Sequence, residues 1–249
     1  MVSNRRFLTK PLYIAHRGLS SRYPENTLAA FRAAIDAGAG MIELDVTLSR
    51  DRRLVVIHDS TVNRTTNGRG RVNTLTMAQL RRLDAGSWFA ERFAGEPVPS
   101  LEQVLDAVGG KVLINIEIKP EAFEPRAPHD AVERQIVEMV TERQMAADVL
   151  ISSFAWRVLA RIRALSANLA IGLLSELPAD ERLLYWFRRL DGFSWHPDYR
   201  VVSRSQVEML QGLGARVYPY TVGGRIDTMS LLAMGVDGLI VDDPRQMAA

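Results

Sequence analysis

Short apolar segments rich in β-branched residues alternate with amphipathic segments along almost the whole sequence, and this alternation constrains the fold more than any other feature. The short segments predict strands at Leu12–Ala15, Met41–Leu48, Leu54–His58, Val112–Ile118, Val149–Ser152, Leu169–Leu173, Gly192–Ser194, Arg216–Tyr220 and Gly238–Val241. The amphipathic segments predict helices at Thr27–Ala37, Met77–Leu83, Leu101–Val108, Asp130–Arg143, Ala155–Leu165, Ala179–Leu190, Arg204–Leu213 and Arg225–Met234. Asn26 and Gly38 are the expected N-cap and stop of the first helix, and Asp130 with Glu133 forms a capping-box pattern.

The segment Leu54–His58 follows the second strand after only a few residues, too few for the crossover that parallel strands need. We therefore expect these two strands to form an antiparallel hairpin. The remaining eight strands, with helices between most of them in a chain of 249 residues, favour a TIM (β/α)₈ barrel over an open doubly wound sheet. We expect residues 1–249 to form a single domain, in which residues 59–110 are an insertion that caps the mouth of the barrel.

The charge balance argues against a nucleic-acid partner, because 31 Lys and Arg residues face 29 Asp and Glu residues without clustering. Cysteine is absent, which removes disulfides, thiolate zinc sites and cysteine nucleophiles. No stretch of about 20 apolar residues predicts a membrane span, and no apolar run of roughly 7–15 residues near the start predicts a signal peptide. We therefore expect a cytoplasmic protein without stable membrane insertion.

Polar residues that are unusual in buried strands occur at the C-terminal ends of the first predicted strands, where (β/α)₈ barrels place their chemistry. His16-Arg17-Gly18 ends the first strand. Glu43 and Asp45 lie two residues apart in the second strand, so both carboxylates point to one face. His58 ends the return strand of the hairpin, and counting from the turn places it opposite Leu44 or Asp45, close to the acidic pair.

Asn115, Glu117 and Lys119 continue this pattern on the next barrel strand, where they share one face and the intervening isoleucines share the other. The two remaining histidines have no such placement. His129 precedes a helix and His196 lies in a predicted Trp-His-Pro loop, so we expect both to be structural or on the surface.

Each feature has a simpler explanation when it is taken alone. A single histidine such as His16 is commonly a core residue with satisfied hydrogen bonds. Glu43 and Asp45 could form salt bridges on a solvent-facing edge strand, and Glu117 with Lys119 could be an internal ion pair. These explanations weaken together, because carboxylates within apolar strands repel each other unless a cation lies between them.

The residue types at this end of the barrel indicate cleavage of a phosphodiester. Three carboxylates without cysteine suit Mg²⁺ or Ca²⁺ rather than zinc. An arginine and a lysine beside them would hold an anion with several oxygens, most commonly phosphate. Two histidines free of the metal could act as base and acid near neutral pH. A metal-dependent amidohydrolase would instead need His-x-His on the first strand, where this chain has His-Arg-Gly.

Several motifs, in the same order along nearly the whole chain, closely resemble those of the glycerophosphodiester phosphodiesterase family. His-Arg-Gly alone is a weak signal, but the combination is highly specific. The motifs are His16-Arg17-Gly18, Pro24-Glu25-Asn26-Thr27, Ile42-Glu43-Leu44-Asp45-Val46, His58-Asp59, Asn63-Arg64-Thr65-Thr66-Asn67-Gly68, Ile116-Glu117-Ile118-Lys119-Pro120, Ile151-Ser152-Ser153-Phe154 and Gly235-Val236-Asp237-Gly238.

This resemblance implies a TIM barrel that hydrolyses deacylated phospholipids, such as glycerophosphocholine or glycerophosphoethanolamine, to glycerol 3-phosphate and an alcohol. It implies a small-molecule substrate and an insertion after His58 that caps the site. Carried over by position, it implies that the divalent metal is bound by Glu43, Asp45 and Glu117, that His16 and His58 are the general base and acid, and that Arg17 and Lys119 contact the phosphate.

One segment departs from the family pattern. The family usually has Trp-Thr-Val-Asn near the end of the seventh barrel strand, which corresponds to the predicted strand Arg216–Tyr220 when the hairpin strand is not counted, and this chain has Tyr220-Thr221-Val222-Gly223. Tyr220 can still present an aromatic face to the glycerol or the headgroup, so it is a candidate substrate-binding residue. Gly223 lacks the amide of the usual Asn, and this difference affects substrate preference rather than reaction class.

Two other functions remain open at this stage. A phospholipase D-like activity on intact lysophospholipids would need an apolar lid, for which Trp88, Phe89 and Phe93 are the candidates. We expect these three residues to pack the insertion onto the barrel instead, because a short aromatic cluster is commonly a small core. A barrel that only binds phosphorylated ligands is the third possibility, although binding alone requires no second histidine.

Overall fold

Eight parallel strands form a barrel with helices around it in the computed structural model, which describes Phe7 and residues 9–247. The predicted TIM-barrel architecture is confirmed. The strands are β1 (Leu12–Ala15), β2 (Met41–Leu48), β3 (Leu54–Val56), β4 (Leu113–Ile118), β5 (Val149–Ser153), β6 (Ala170–Ser175), β7 (Ser194–Pro197), β8 (Arg216–Val217) and β9 (Gly238–Val241). The helices are α1 (Leu28–Asp36), α2 (Met77–Leu80), α3 (Leu101–Val108), α4 (Val132–Glu142), α5 (Trp156–Leu165), α6 (Glu181–Arg189), α7 (Arg204–Gly212) and α8 (Arg225–Met234).

The parallel strands follow the order β8-β7-β6-β5-β4-β2-β1-β9. Backbone hydrogen bonds also connect the two ends of this row, because Asp237 N–H donates to the Val217 carbonyl (3.0 Å) and Ile240 N–H donates to the Pro219 carbonyl (2.9 Å). In the register of β2 with β4, Asp45 lies beside Glu117. The barrel thus brings the C-terminal ends of the strands together at one mouth.

The strand β3 pairs with β2 in antiparallel orientation, with Val46 opposite Val56. This pairing confirms the predicted hairpin. The ladder extends one step further, since Ile57 N–H donates to the Asp45 carbonyl at 3.1 Å. His58 therefore follows directly beside the acidic end of β2, as the count from the turn predicted.

Alternation along the strands sorts side chains between two layers of core. The isoleucines at 114, 116 and 118 of β4 face the helices and are fully buried. Fully burying a side chain of this size contributes about 1.5–3 kcal/mol. A second apolar layer fills the barrel below the polar mouth, and it includes Leu12, Ile14, Met41, Leu113, Leu150, Ala170, Tyr218 and Ile240.

The region between β3 and α3 has a small apolar cluster of its own, formed by Val55, Ile57, Val62, Val72, Met77, Leu80, Ala85 and Val98. The aromatic residues of this region are in contact through their rings. The ring centroid of Phe89 is 5.7 Å from that of Trp88 and 5.8 Å from that of Phe93. Phe93 in turn lies 5.2 Å from Tyr23, which packs against the main core. In the described part of the chain, none of the helices combines the length and the apolar character that a membrane crossing requires.

The predicted N-cap of α1 is wrong by one residue. Thr27 is the cap, and its hydroxyl accepts a hydrogen bond from Ala30 N–H. Asn26 has a left-handed backbone (φ 58°) and turns its amide to Asp45 instead. The stop prediction agrees with the structure, since Gly38 follows the helix end with φ 79°.

The predicted capping box at α4 is also wrong, because ion pairs compete for both acidic side chains. The helix begins at Val132 after Ala131, whose side chain makes no cap. Asp130 pairs with Arg52 at 2.9 Å, and Glu133 pairs with Arg161 at 3.0 Å.

The seventh strand lies further along the chain than predicted, at Ser194–Pro197 instead of Gly192–Ser194. His196 is consequently in a strand and fully buried inside the barrel, which corrects its assignment to a loop. Its environment agrees with the expected structural role. His129 lies in an exposed turn, as expected.

Candidate active site

Three carboxylates from two neighbouring strands form a buried cluster at the mouth of the barrel, which we call the carboxylate cluster. It consists of Glu43 and Asp45 of β2 and Glu117 of β4, and one oxygen from each lies within 4.8 Å of the others. None of the three side chains is on an exposed edge strand, and their residues are at most 9% exposed. One oxygen of Glu43, Oε1, has no hydrogen-bond partner among the described residues.

Two cations lie against the carboxylate cluster. Lys119 Nζ is 2.8 Å from Glu117 Oε1 and 3.2 Å from Asp45 Oδ1, so the suggested internal ion pair is present but includes both acids. Arg17 Nε is 3.3 Å from Asp45 Oδ2, and the backbone N–H of Arg17 donates to Glu43 Oε2 at 2.9 Å. The cations therefore offset only part of the negative charge.

The three carboxyl groups differ in their pKa values because they differ in their neighbours. Burial and the charges of Asp45 and Glu117 raise the pKa of Glu43 well above its usual range. Burial and the charge of Asp45 raise the pKa of Glu117 to about 7. Burial acts in the same direction on Asp45, but the charges of Lys119 and Arg17 outweigh it and lower the pKa to about 2. A divalent cation among these oxygens would stabilise the ionised form of all three groups.

The first candidate imidazole, His16, follows β1 and contacts a carboxylate from the end of β9. His16 Nδ1 and Asp242 Oδ1 are 2.8 Å apart, and the Ser20 hydroxyl donates to the same oxygen at 3.1 Å. This contact uses Nδ1, so Nε2 on the opposite side of the ring remains for a substrate atom.

The second candidate imidazole has the same kind of partner. His58 Nδ1 is 2.7 Å from Asp59 Oδ1. Arg64 joins Asp59 (2.8 Å) to Glu25 (2.7 Å), and Glu25 accepts from Arg17 Nη1 at 2.8 Å. Burial lowers the pKa of His58, and the Asp45 charge opposes this shift. A charged network thus runs from His58 to the arginine at the carboxylate cluster.

The turn after β1 has a conformation that depends on its sequence. Arg17 and Gly18 both have left-handed backbones, with φ of 55° and 85°. A Cβ atom on Gly18 would lie 2.7 Å from the backbone carbon of Ala30, so only glycine fits there. Asn26 N–H donates to the Arg17 carbonyl at 3.0 Å, and the Asn26 amide donates to Asp45 at 2.8 Å. These contacts hold the arginine over the carboxylate cluster.

A single cavity of about 540 Å³ contains the candidate residues of both kinds. It is lined by His16, Arg17, Glu43, His58, Asn115, Glu117 and Lys119. The lining also includes Phe154, Glu176 and Tyr220. The structure therefore brings all the candidate site residues together, and all of them except Asp45 line the cavity. Asp45 belongs to the carboxylate cluster without lining the cavity.

A phosphodiester in this cavity would meet cations, imidazoles and a group of carboxylates that suits a hard metal ion, and sequence comparison decides which family uses this arrangement. The model of the glycerophosphoryl diester phosphodiesterase family matches residues 16–246. The chain belongs to this family.

Curated relatives in the glycerophosphoryl diester phosphodiesterase family cover almost the whole chain. The glycerophosphodiester phosphodiesterase of Caldanaerobacter subterraneus subsp. tengcongensis is 40% identical over 239 residues, which is 96% of each chain. The enzyme of the same name from Bacillus altitudinis is 34% identical over 92% of this chain and 94% of that protein. The chain is accordingly an enzyme of the phosphoric diester hydrolase class.

Solved structures of family members share the fold. A phosphodiesterase from Oleispira antarctica, in complex with the product sn-glycerol-3-phosphate, superposes with a TM-score of 0.87 at 28% identity over 96% of both chains. The putative glycerophosphoryl diester phosphodiesterase of Silicibacter pomeroyi gives 0.85 at 27% identity, over 95% of this chain and 91% of that one. In this chain, His16, Glu43, His58 and Glu117 belong to the family motifs and line the cavity described above.

Sequence reasoning missed the residues of this phosphodiesterase that hold the candidate groups in place. Asp242 follows the last strand, so the barrel rule could have placed it at the mouth beside the first strand. The sequence pattern predicts a helix cap at Asn26, but its amide donates to Asp45 instead. Arg64 and Glu25 both lie in motifs shared with the family, but no local pattern indicates that they pair with each other.

Proposed function

We propose that this chain hydrolyses glycerophosphodiesters to sn-glycerol 3-phosphate and an alcohol, with Mg²⁺ or Ca²⁺ as cofactor. The observation that carries this proposal is the single cavity of about 540 Å³, lined by two imidazoles, an arginine, a lysine and two of the clustered carboxylates. Small diesters such as glycerophosphocholine fit a cavity of this size, since ligand pockets range over about 300–1,000 Å³.

The carboxylate cluster fits a divalent metal ion. Glu43, Asp45 and Glu117 supply only oxygen donors, as Mg²⁺ and Ca²⁺ prefer, and Glu43 Oε1 has no partner among the described residues. When bound, such an ion would neutralise phosphoryl oxygens and so favour nucleophilic attack at phosphorus.

Arg17 and Lys119 are the proposed phosphate contacts. Both line the cavity, and both are held by carboxylates of the cluster, with Lys119 2.8 Å from Glu117. Fixed cations lose little freedom when they bind an anion, and they stabilise the charge that develops on phosphoryl oxygens. Tyr220 presents its ring to the same cavity and is the proposed contact for the uncharged part of the substrate.

His16 and His58 are the proposed proton-transfer groups. One imidazole takes the proton from water as the water oxygen forms its bond to phosphorus. The other gives its proton to the alcohol oxygen as the bond between phosphorus and that oxygen breaks. Each ring contacts a carboxylate through Nδ1, Asp242 for His16 and Asp59 for His58, which leaves Nε2 for these transfers.

The test is release of sn-glycerol 3-phosphate from glycerophosphocholine, with and without EDTA. We expect no turnover after chelation and recovery when Mg²⁺ or Ca²⁺ is added back. His16→Ala and His58→Ala are each expected to lower kcat by about 10²–10⁴-fold, while His129→Ala, in an exposed turn, serves as the matched control. Turnover that survives chelation, or unchanged rates in both histidine variants, would refute the assigned roles.

We also propose that residues 1–249 form one domain in which residues 59–110 cap the active site. The support is Arg64, which lies in this segment and pairs with Asp59 and Glu25 beside the cavity. A single cooperative unfolding transition, followed in parallel by activity and by circular dichroism, is the expected result; two separate transitions would contradict it. A cytoplasmic location stays a prediction, which cell fractionation tests.

A further inference from the structure

Arg64 lies between β3 and α3, and its guanidinium binds two carboxylates at once. Nε (2.8 Å) and Nη2 (3.0 Å) donate to Asp59. Nη1 (2.7 Å) and Nη2 (2.8 Å) donate to Glu25. Paired hydrogen bonds between arginine and a carboxylate are strong and specify geometry, so the plane of this guanidinium is fixed although 43% of the side chain is exposed.

One nitrogen of this guanidinium, Nη2, donates to the same two oxygens that contact an imidazole and an arginine of the cavity. Asp59 Oδ1 accepts from Arg64 Nη2 and lies 2.7 Å from His58 Nδ1. Glu25 Oε1 accepts from Arg64 Nη2 and, at 2.8 Å, from Arg17 Nη1. Arg64 thus connects the imidazole that follows β3 with the arginine that follows β1.

The two bridging carboxylates depend on Arg64 for their charge and their orientation. Hydrogen bonds from Arg64 lower the pKa of Asp59 below its usual range. Burial would raise the pKa of Glu25, but the hydrogen bonds and charges of Arg64 and Arg17 outweigh it and lower the pKa. Without Arg64, the ion pairs left within the described range would be His58 for Asp59 and Arg17 for Glu25. Each carboxylate would then be free to turn together with the group that it contacts.

The backbone around Arg64 is fixed by the small apolar cluster between β3 and α3. Val62 is fully buried in this cluster, and its carbonyl accepts a hydrogen bond from the Thr66 hydroxyl at 2.7 Å. Thr65 and Thr66 are themselves buried. The packing of this region therefore determines where the guanidinium lies.

We propose that Arg64 is a positioning residue, through which residues 59–110 set the orientation of both Arg17 and His58. This inference rests on the proposed function, in which Arg17 contacts the phosphate and His58 transfers a proton. Arg64 acts through these two groups, since it does not itself line the cavity. Its loss should therefore impair two separate properties, the binding of a phosphate through Arg17 and the rate of proton transfer through His58.

The test measures kcat with glycerophosphocholine and, by isothermal titration, the Kd of sn-glycerol 3-phosphate, both with saturating Mg²⁺ or Ca²⁺. Arg64→Gln is expected to lower kcat by about 10–10²-fold, because a displacement of about 1 Å at a reacting group costs up to that much. It should also raise the Kd about tenfold, as loss of an ordered charge-assisted contact does. Arg69→Gln is the matched control, at an exposed arginine of the same segment without an ion pair among the described residues, and should keep both constants within about twofold.

Two further variants separate positioning from simple attraction between charges. Arg64→Lys keeps the positive charge, but an ammonium cannot reproduce the paired contacts with both carboxylates. Its kcat and Kd should therefore stay within about threefold of those of Arg64→Gln. Glu25→Gln removes a negative charge, which by itself would strengthen the binding of an anion, whereas loss of positioning weakens it. We expect weaker binding of sn-glycerol 3-phosphate in Glu25→Gln.

A double variant tests the path to His58. Asp59→Asn should lower kcat, because it removes the carboxylate that contacts Nδ1 of His58. When Asp59→Asn is combined with Arg64→Gln, the loss of kcat should be smaller than the product of the two separate losses, since both changes interrupt the same path. Losses that multiply would show that Arg64 does not act on His58 through Asp59.

The outcomes separate this inference from the proposed function. No release of glycerol 3-phosphate by the unmodified enzyme would refute the proposed function itself. Turnover with a kcat and a Kd that Arg64→Gln leaves unchanged would overturn the role of Arg64 alone. Full recovery in Arg64→Lys, or tighter binding in Glu25→Gln, would also overturn it, because the effect would then be one of charge. The variants must show the thermal midpoint of the unmodified enzyme within about 2 °C, and Arg64→Lys carries the test if Arg64→Gln does not fold.

Discussion

His16 and Asp242 are 226 residues apart in sequence, yet His16 Nδ1 and Asp242 Oδ1 lie 2.8 Å apart. The closure of the barrel brings them together, because β1 pairs in parallel with β9 and Ala15 lies beside Val241. The next residue of each strand then emerges at the same point of the mouth. A carboxylate in this position fixes the orientation of the imidazole.

We predict that Asp242→Asn lowers kcat by about 10²-fold, within the range typical of acid–base catalysis, because His16 loses the carboxylate that orients it. KM should change by less than about threefold, since Asp242 does not line the cavity. Steady-state kinetics with glycerophosphocholine measure both constants. Asp242→Glu should restore part of the loss.

The neighbouring residue provides the control for this prediction. Asp243 is also an acid after β9, but it pairs with Arg245 at 2.8 Å and makes no contact with either imidazole. Asp243→Asn should therefore leave kcat within about twofold. An equal loss of kcat in the two variants would show that Asp242 contributes stability rather than orientation.

Much of the fold could be predicted because it depends on local patterns. The isoleucines of β4 alternate with Asn115 and Glu117, and Lys119 follows the last of them, so this segment specifies both a strand and its polar face. The short connection before Leu54 specifies a hairpin, and the register then places His58 near Asp45. Each of these inferences needs only residues close in sequence.

The remaining contacts could not be predicted because they depend on which distant side chain binds a given polar group. Asn26 is a residue type that commonly caps helices. Its amide donates to the Asp45 carboxylate, however, and Thr27 caps the helix instead. Asp130 has the position for a capping box, but Arg52 binds its carboxylate. A single sequence does not reveal these long-range partners.

We predict that Asn26→Gly weakens metal binding by about 10–100-fold, as removal of groups that orient metal ligands commonly does. Asn26 holds Asp45 by two hydrogen bonds, of 2.8 Å to Oδ2 and 3.2 Å from the backbone N–H. Glycine accepts the left-handed backbone at this position (φ 58°), so the substitution removes the side chain without adding strain. Isothermal titration with Mg²⁺ and with Ca²⁺ measures the change.

Asn63→Gly is the control for this variant. The Asn63 side chain is exposed and accepts a hydrogen bond from Gly70 N–H, away from the carboxylate cluster. Its metal affinity should match that of the unmodified enzyme. If Asn26→Gly binds metal equally well, then Asp45 needs no support from the amide.

We predict that Glu43→Gln raises the thermal midpoint of the metal-free enzyme and reduces the rise that Mg²⁺ or Ca²⁺ produces in the unmodified enzyme. Without metal, the substitution removes a buried acid that is repelled by Asp45 and Glu117. Each kcal/mol of relieved repulsion raises the midpoint by about 2–4 °C in a chain of this size. With metal, the variant lacks one ligand, so binding stabilises it less.

Scanning calorimetry with EDTA and with saturating metal gives all four midpoints. Glu102→Gln, at an exposed glutamate of α3, is the control and should keep the full metal-induced rise. A metal-induced rise of unchanged size in Glu43→Gln would remove Glu43 from the ligand set.

The last prediction concerns His196 and acid stability. His196 is fully buried in β7, where its Nε2 forms a hydrogen bond with the Ser194 hydroxyl (2.8 Å) and its Nδ1 has no partner among the described residues. Burial lowers the pKa of His196 to about 3, whereas an unfolded histidine has a pKa of about 6.5. Between these values the unfolded chain binds a proton that the folded chain does not, so the free energy of unfolding decreases as the pH falls.

From these two pKa values, His196 alone should reduce the free energy of unfolding by about 2 kcal/mol between pH 7 and pH 5. The full contribution is present above pH 6.5 and is lost progressively as the pH falls toward 3. His196→Gln cannot take up this proton, so its decrease between the two pH values should be smaller by the same amount, whatever the variant costs at pH 7. Urea unfolding of both proteins at pH 7 and pH 5, in EDTA, measures the difference. Other groups that titrate in this range contribute equally to both proteins, so parallel decreases would mean that His196 becomes protonated within the folded barrel.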